Sequence, residues 1–129
     1  LKPNGWFACL WNHRNLNDST QASIEKIIKN KIPEYGYGSR REDQTDIINE
    51  CGLFGPVIYI DSQVVHQQSI EDCIEAWRSH GTLQRQADYT FDDVINSIAL
   101  FLKNLDYPLV ENNKISIPYT TKIWMAQLK

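Results

Sequence analysis

Leu1-Lys2-Pro3-Asn4-Gly5-Trp6-Phe7-Ala8-Cys9-Leu10-Trp11 is a turn that runs straight into an apolar and aromatic stretch. Pro3 fixes φ and removes a backbone donor, Asn4-Gly5 supplies turn chemistry that tolerates positive φ, and no charge interrupts Trp6 to Trp11. Such runs suit strands covered on both faces, as in parallel sheets, so the stretch reads as a strand inside an α/β domain. The strand is expected to end at Asn12-His13-Arg14-Asn15, where hydrogen-bonding side chains replace apolar ones. Ligands of open α/β sheets sit outside the carboxyl ends of the strands, which puts an expected crevice at residues 11 to 14.

Helices follow from spacing. Asp18 can cap a helix with Gln21 reaching back, Ile24, Ile27, Ile28 and Ile32 repeat at helical intervals, and Pro33 ends it. A second helix is expected from about Arg41 to Cys51, with Ile47, Ile48 and Cys51 on one face and Gly52 as its left-handed terminator. Val57 to Ile60 and Val64-Val65 flank Asp61-Ser62-Gln63, which fits either one bent strand or a short hairpin. Ser69 then caps the clearest helix of the chain, with Ile70, Cys73, Ile74 and Trp77 at i, i+3, i+4 and i+7. Thr90 with Asp93 is expected to cap another, through about Leu105, and Asn112-Asn113 to turn the chain into a last strand. Pro118 cannot donate to a ladder, so that strand is expected to be irregular at its start and secure only from Thr121 to Leu128.

Composition bounds the function. A chain of 129 residues, 42% hydrophobic and 22% charged, fits one soluble unit that buries roughly two-thirds of its unfolded surface. A formal charge of −3 gives no electrostatic case for nucleic acid, and the basic pair Arg40-Arg41 is followed at once by Glu42 and Asp43. No apolar run approaches the roughly 20 residues that span a bilayer, so no membrane partner is expected. Cys9, Cys51 and Cys73, an odd number without paired spacing, read as reduced thiols, and the expected location is cytoplasmic. None of them, nor His13, His66 or His80, shows metal-ligand spacing, so no metal site is expected. Leu1 in place of an initiator methionine suggests a fragment or a processed chain.

The Leu-Lys-Pro-x-Gly turn into an apolar strand resembles the fifth-strand signature of class I S-adenosylmethionine-dependent methyltransferases, and Leu10-Trp11-Asn12 resembles its small-molecule, type 11-like branch. Ile117-Pro118-Tyr119-Thr120-Thr121-Lys122-Ile123-Trp124-Met125-Ala126 is similar to the last strand of the same enzymes. The resemblance spans essentially all of residues 1 to 129 but only the carboxyl-terminal half of the family's Rossmann-like fold. It implies a single α/β unit of strands five to seven with a helical insertion at about 69 to 105: a three-stranded mixed sheet flanked by about four helices, its final strand antiparallel between the other two. The family's Gly-rich cofactor loop has no counterpart, because the glycines at 5, 36, 38, 52, 55 and 81 are scattered and Gly36-Tyr37-Gly38 follows a helix and reads as a turn. S-adenosylmethionine is thus the cofactor of the parent family, and none is expected to bind this chain alone.

What the resemblance implies for function is the substrate-side half of a small-molecule methyltransferase, inactive unless the amino-terminal half is supplied. The other class is a non-enzymatic binding or assembly module. Trp11, Asn12 and Arg14 are the candidate substrate contacts at the expected crevice, Arg14 as a carboxylate clamp, and His13 is the candidate catalytic base. The alternative reading of the same four residues is a polar strand-to-helix loop. Trp77 and His80 end the clearest helix, in the insertion that the resemblance implies helps to form the substrate lid, although spacing alone makes Trp77 a core aromatic. A first strand without its usual partner leaves residues 6 to 11 as an apolar edge, through which the isolated chain is expected to form a homodimer.

Overall fold

The computed structural model describes residues 1–129, apart from the side chain of Arg40. The chain is mixed α/β: β1 (Trp6–Arg14), α1 (Ser19–Lys31), a 3-10 turn (Gly38–Arg41), α2 (Thr45–Glu50), β2 (Ile58–Ser69), α3 (Ile70–Arg78), α4 (Gly81–Ala87), a 3-10 turn (Asp88–Thr90), α5 (Phe91–Lys103), β3 (Val110–Glu111) and β4 (Lys114–Gln127). The strands form a four-stranded sheet in the order β1-β4-β2, with β3 paired to β4. The last strand is therefore the central one, as expected.

The sheet is antiparallel rather than mixed. Leu128 N–H donates to the Gly5 carbonyl at one end of β1 and Asn15 N–H to the Pro118 carbonyl at the other, so β1 and β4 run in opposite directions. Gly55 N–H to Gln127 and Ile70 N–H to Asn113 set β2 against β4 in the same way. β1 and β2 never pair with each other, because β4 lies between them and opposes both. The fourth strand is a by-product of the Asn112-Asn113 turn, where both residues take positive φ (51° and 59°). That conformation suits a two-residue hairpin and pairs Val110 with Ile115 and Glu111 with Lys114.

Other expectations need correction. β1 does not stop at Trp11 but carries Asn12, His13 and Arg14 within the strand, because ladder partners extend to Asn15. Nor is it covered on both faces: Trp6, Phe7 and Leu10 are exposed, as an edge strand permits. The second helix is shorter than expected, starting at Thr45, since residues 38 to 41 form a 3-10 turn and Gln44 Nε2 donates back to the Ser39 and Glu42 carbonyls. Of its expected face only Ile48 is buried, while Ile47 and Cys51 are exposed. Gly52 does terminate it, at φ 73°. The segment around Asp61 is one continuous strand, and α4, which carries little apolar periodicity, is an additional helix. Thr90 makes no cap bond; its hydroxyl donates to the Ala87 carbonyl instead.

Pro118 is the most instructive correction, because it stands inside the central strand. In an antiparallel ladder, residues 15 and 118 should exchange two hydrogen bonds, and proline can supply only its carbonyl. The missing donor is replaced by the Gln21 amide of α1: Nε2 donates to the Asn15 carbonyl (3.3 Å) and to the Pro118 carbonyl (2.5 Å). Gln21 is 3% exposed, and its backbone N–H is capped by Asp18 (3.0 Å).

Contacts divide the chain into two compact units, residues 1–13, 38–64 and 119–129, and residues 14–37 and 65–118. The first has a small core of Ile48, Trp124 and Ala126, against which Cys9, Trp11, Phe54 and Val57 pack. The second is the better filled. α5 contacts α1, α3 and α4, and Ile28, Leu83, Val94, Ile98 and Leu102 are wholly buried there. At about 1.5–3 kcal/mol for each large aliphatic side chain removed from water, these residues dominate that unit's stability.

Candidate functional site

The second unit brings three of the expected site residues together. Arg14, at the end of β1, lays its guanidinium on the face of Trp77 of α3, with Cζ 3.7 Å from the ring centroid. The Trp77 ring lies 5.2 Å from that of His80 at an interplanar angle of 32°. Trp77 is 5% exposed, held by the same apolar face that buries Ile70, Cys73 and Ile74, and Ser69 caps that helix through the Asp72 N–H (3.0 Å). Trp77 is thus the core aromatic that its spacing indicates, and its ring face also carries the Arg14 guanidinium.

His80 is fixed by the start of α4. Its Nδ1 accepts the Leu83 N–H at 3.2 Å, which leaves the proton of a neutral ring on Nε2. A nitrogen committed to a cap is not a base, so the Nδ1 side of His80 is occupied by α4.

Sequence reasoning missed Glu25, Tyr37 and Cys73. Tyr37 donates its hydroxyl to Glu25 of α1 at 2.5 Å, Lys29 stands 3.7 Å from the same carboxylate, and Tyr35 meets Tyr37 edge to face at 5.2 Å. Gln86 of α4 holds this loop by pairing both ways with Gly36, accepting its N–H (3.1 Å) and donating to its carbonyl (2.7 Å). Burial pushes the Tyr37 hydroxyl well above the usual phenol range, the Glu25 hydrogen bond adds to this, and the Arg14 charge opposes it. Burial likewise pushes the Cys73 thiol up to about 11 against the pull of Arg14. Arg14 thus lies within electrostatic reach of both, and both stay protonated at neutral pH. The repeated aromatic in Tyr35-Gly36-Tyr37, two residues after the helix-ending Pro33, is the signal that could have marked this loop.

The remaining candidates belong to the first unit. Trp11 packs on Trp124 (centroids 6.2 Å apart) as part of the small core, and Asn12 accepts the Thr121 hydroxyl at 2.6 Å across the ladder. His13 is buried, at 8% exposure, within β1 rather than on a strand-end loop. Among the described residues no group of three or more His, Cys, Asp or Glu could hold a metal ion, and no helix is long and apolar enough to cross a membrane.

No known protein family matches the chain, and no curated protein is related to it closely enough to match. The site's own geometry has to carry the functional reading. What Arg14, Trp77 and His80 offer is a cation held on an aromatic face with a second ring beside it. The chemistry this arrangement can supply is charge and ring-face contact rather than nucleophilic attack.

Proposed function

We propose that the chain is the substrate-side half of an S-adenosylmethionine-dependent methyltransferase that acts on a small molecule. The observation that carries this reading is the assembly of Arg14, Trp77 and His80 into one recognition surface in the unit that holds the helical insertion. The strand order β1-β4-β2, with the last strand central and antiparallel to both neighbours, supports it. Methyl transfer asks little of side chains, since the sulfonium is already activated and orientation supplies most of the rate. A surface that only binds and positions is therefore compatible with it. Substrate contacts fall to Arg14, Trp77 and His80, and the cofactor contacts to a Gly-rich half that this sequence does not contain. Titration calorimetry of the 129-residue chain with S-adenosylmethionine is expected to give no heat of binding. Methyl transfer is expected on adding a Gly-rich amino-terminal half, and micromolar binding by the chain alone refutes the reading.

A second reading, a non-enzymatic assembly module, draws on the first unit. Trp6, Phe7 and Leu10 of β1 and Ile58, Tyr59, Ile60 and Val64 of β2 are all exposed, on the two edge strands of the sheet. Exposed apolar edges invite pairing with another chain, here a homodimer through residues 6 to 11. Sedimentation velocity at micromolar concentration is expected to show a dimer, with loss of it on Leu10→Lys. A monomer at that concentration refutes this reading.

A further inference from the structure

Arg14 is the cation on the Trp77 face, and the ion pairs of Lys29 with Glu25 and of Arg78 with Glu75 do not include it. Among the described residues its guanidinium makes no hydrogen bond, and its contact is the Trp77 face. A half-buried guanidinium at van der Waals distance over an indole keeps its N–H edges directed outward, in the fork geometry that matches a carboxylate. Burying a charge without a counter-charge is unfavourable, and the aromatic face compensates only in part.

We infer that Arg14, stacked on Trp77, is the anchor for a single carboxylate on a small ligand with an apolar body. This rests on the reading of Arg14, Trp77 and His80 as the substrate site, and it narrows the substrate to carboxylates. One guanidinium balances one negative charge. A phosphate dianion would leave a charge uncompensated in a chain of formal charge −3. The apolar body follows from the ring faces beside the guanidinium, the Trp77 indole under it and the His80 imidazole 5.2 Å from that indole.

The test uses the whole chain, nitrogen-15 labelled, with sodium benzoate, benzamide, acetate and inorganic phosphate as probes at pH 7. Benzoate is expected to shift the Arg14 Nε and Trp77 indole resonances saturably, acetate to shift Arg14 more weakly, and benzamide to leave both in place. Arg14→Lys, which keeps the charge, is expected to weaken benzoate at least about tenfold, because the fork and the stack are lost together. Arg14→Met, checked for a native-like spectrum, is expected to abolish the shifts. Benzamide binding as well as benzoate, phosphate binding more tightly than benzoate, or Arg14→Lys keeping affinity within about twofold would each overturn the inference. Benzoate binding is read without S-adenosylmethionine, so the two proposals fail separately. A chain that binds benzoate but gives no methyl transfer with any added half keeps the carboxylate site and loses the methyltransferase reading.

Discussion

Replacing Gln21 by Met keeps the side-chain length and removes the donor that stands in for the missing Pro118 N–H. Two hydrogen bonds are lost, to Asn15 (3.3 Å) and to Pro118 (2.5 Å), at about 1 kcal/mol each and less for the longer one. Neither carbonyl is orphaned, because Asn15 still accepts from Asp18 N–H (3.2 Å) and Pro118 from Asn15 N–H (3.1 Å). The substitution also deletes Gln21 Oε1, which is buried without a hydrogen-bond partner among the described residues and costs about 1 kcal/mol as it stands. The net loss is about 1 kcal/mol, a fall of roughly 3–6 °C in Tm for a chain of this size. The decisive experiment is the double-mutant cycle with Pro118→Ala, read from urea unfolding. Alanine restores the ladder N–H facing Asn15, so the cost of Gln21→Met should drop to near zero in that background, a coupling of about 1 kcal/mol. Any change that Pro118→Ala causes in the unfolded chain cancels in the cycle. Additivity within about 0.3 kcal/mol would refute the idea that Gln21 substitutes for the proline's donor.

Trp77→Ala should cost about 3–5 kcal/mol, because the ring is buried, and Trp77→Phe distinctly less; the two urea midpoints together separate lost packing from loss of the Arg14 contact. Ser69→Ala removes the cap on Asp72 N–H and should lower stability by about 1 kcal/mol, with Ser69→Asp close to wild type by thermal melt. The Cys73 thiol holds its proton to about 11 in the folded chain, whereas an unfolded thiol ionises near 9.0. Unfolding therefore releases a proton across that window: the thiol's contribution is complete below pH 9, and stability falls as pH climbs toward about 11. Denaturation midpoints measured from pH 8 upward should show a slope that Cys73→Ala lacks, and parallel slopes would count against a buried thiol.

Legibility in the sequence followed the strength of the local signal. α3 is read in full from Ser69 and four apolar positions, and the left-handed residues Gly52, Asn112 and Asn113 are where turn chemistry put them. The length of β1 was not legible, since Asn12 to Arg14 look like a loop and are strand only because β4, a hundred positions away, supplies their partners. Pro118 misled for a related reason. Its penalty is a local property, and its remedy, Gln21, lies in a different helix. The buried positions of β4 shift from Ile115 and Ile117 to Trp124 and Ala126, a change of phase that hides its alternation from a fixed period-two reading. At the site, Arg14, Trp77 and His80 were each visible as types. Their stacking is a tertiary contact between the end of β1 and α3, and the Tyr35–Tyr37 loop is fastened by Gln86, whose amide gives no sequence signal.

The central position of β4 also orders events in time. β1 and β2 each pair with β4 and not with each other, so while the chain is being synthesised neither has a strand partner until the last segment appears. At 5–20 residues per second, roughly a hundred residues separate the making of β1 from the making of its partner, a delay of about 5–20 s. Through that interval Trp6, Phe7, Leu10 and Trp11 wait on the nascent chain with unsatisfied backbone groups, an opening for chaperone capture or for mispairing between neighbouring chains on one messenger.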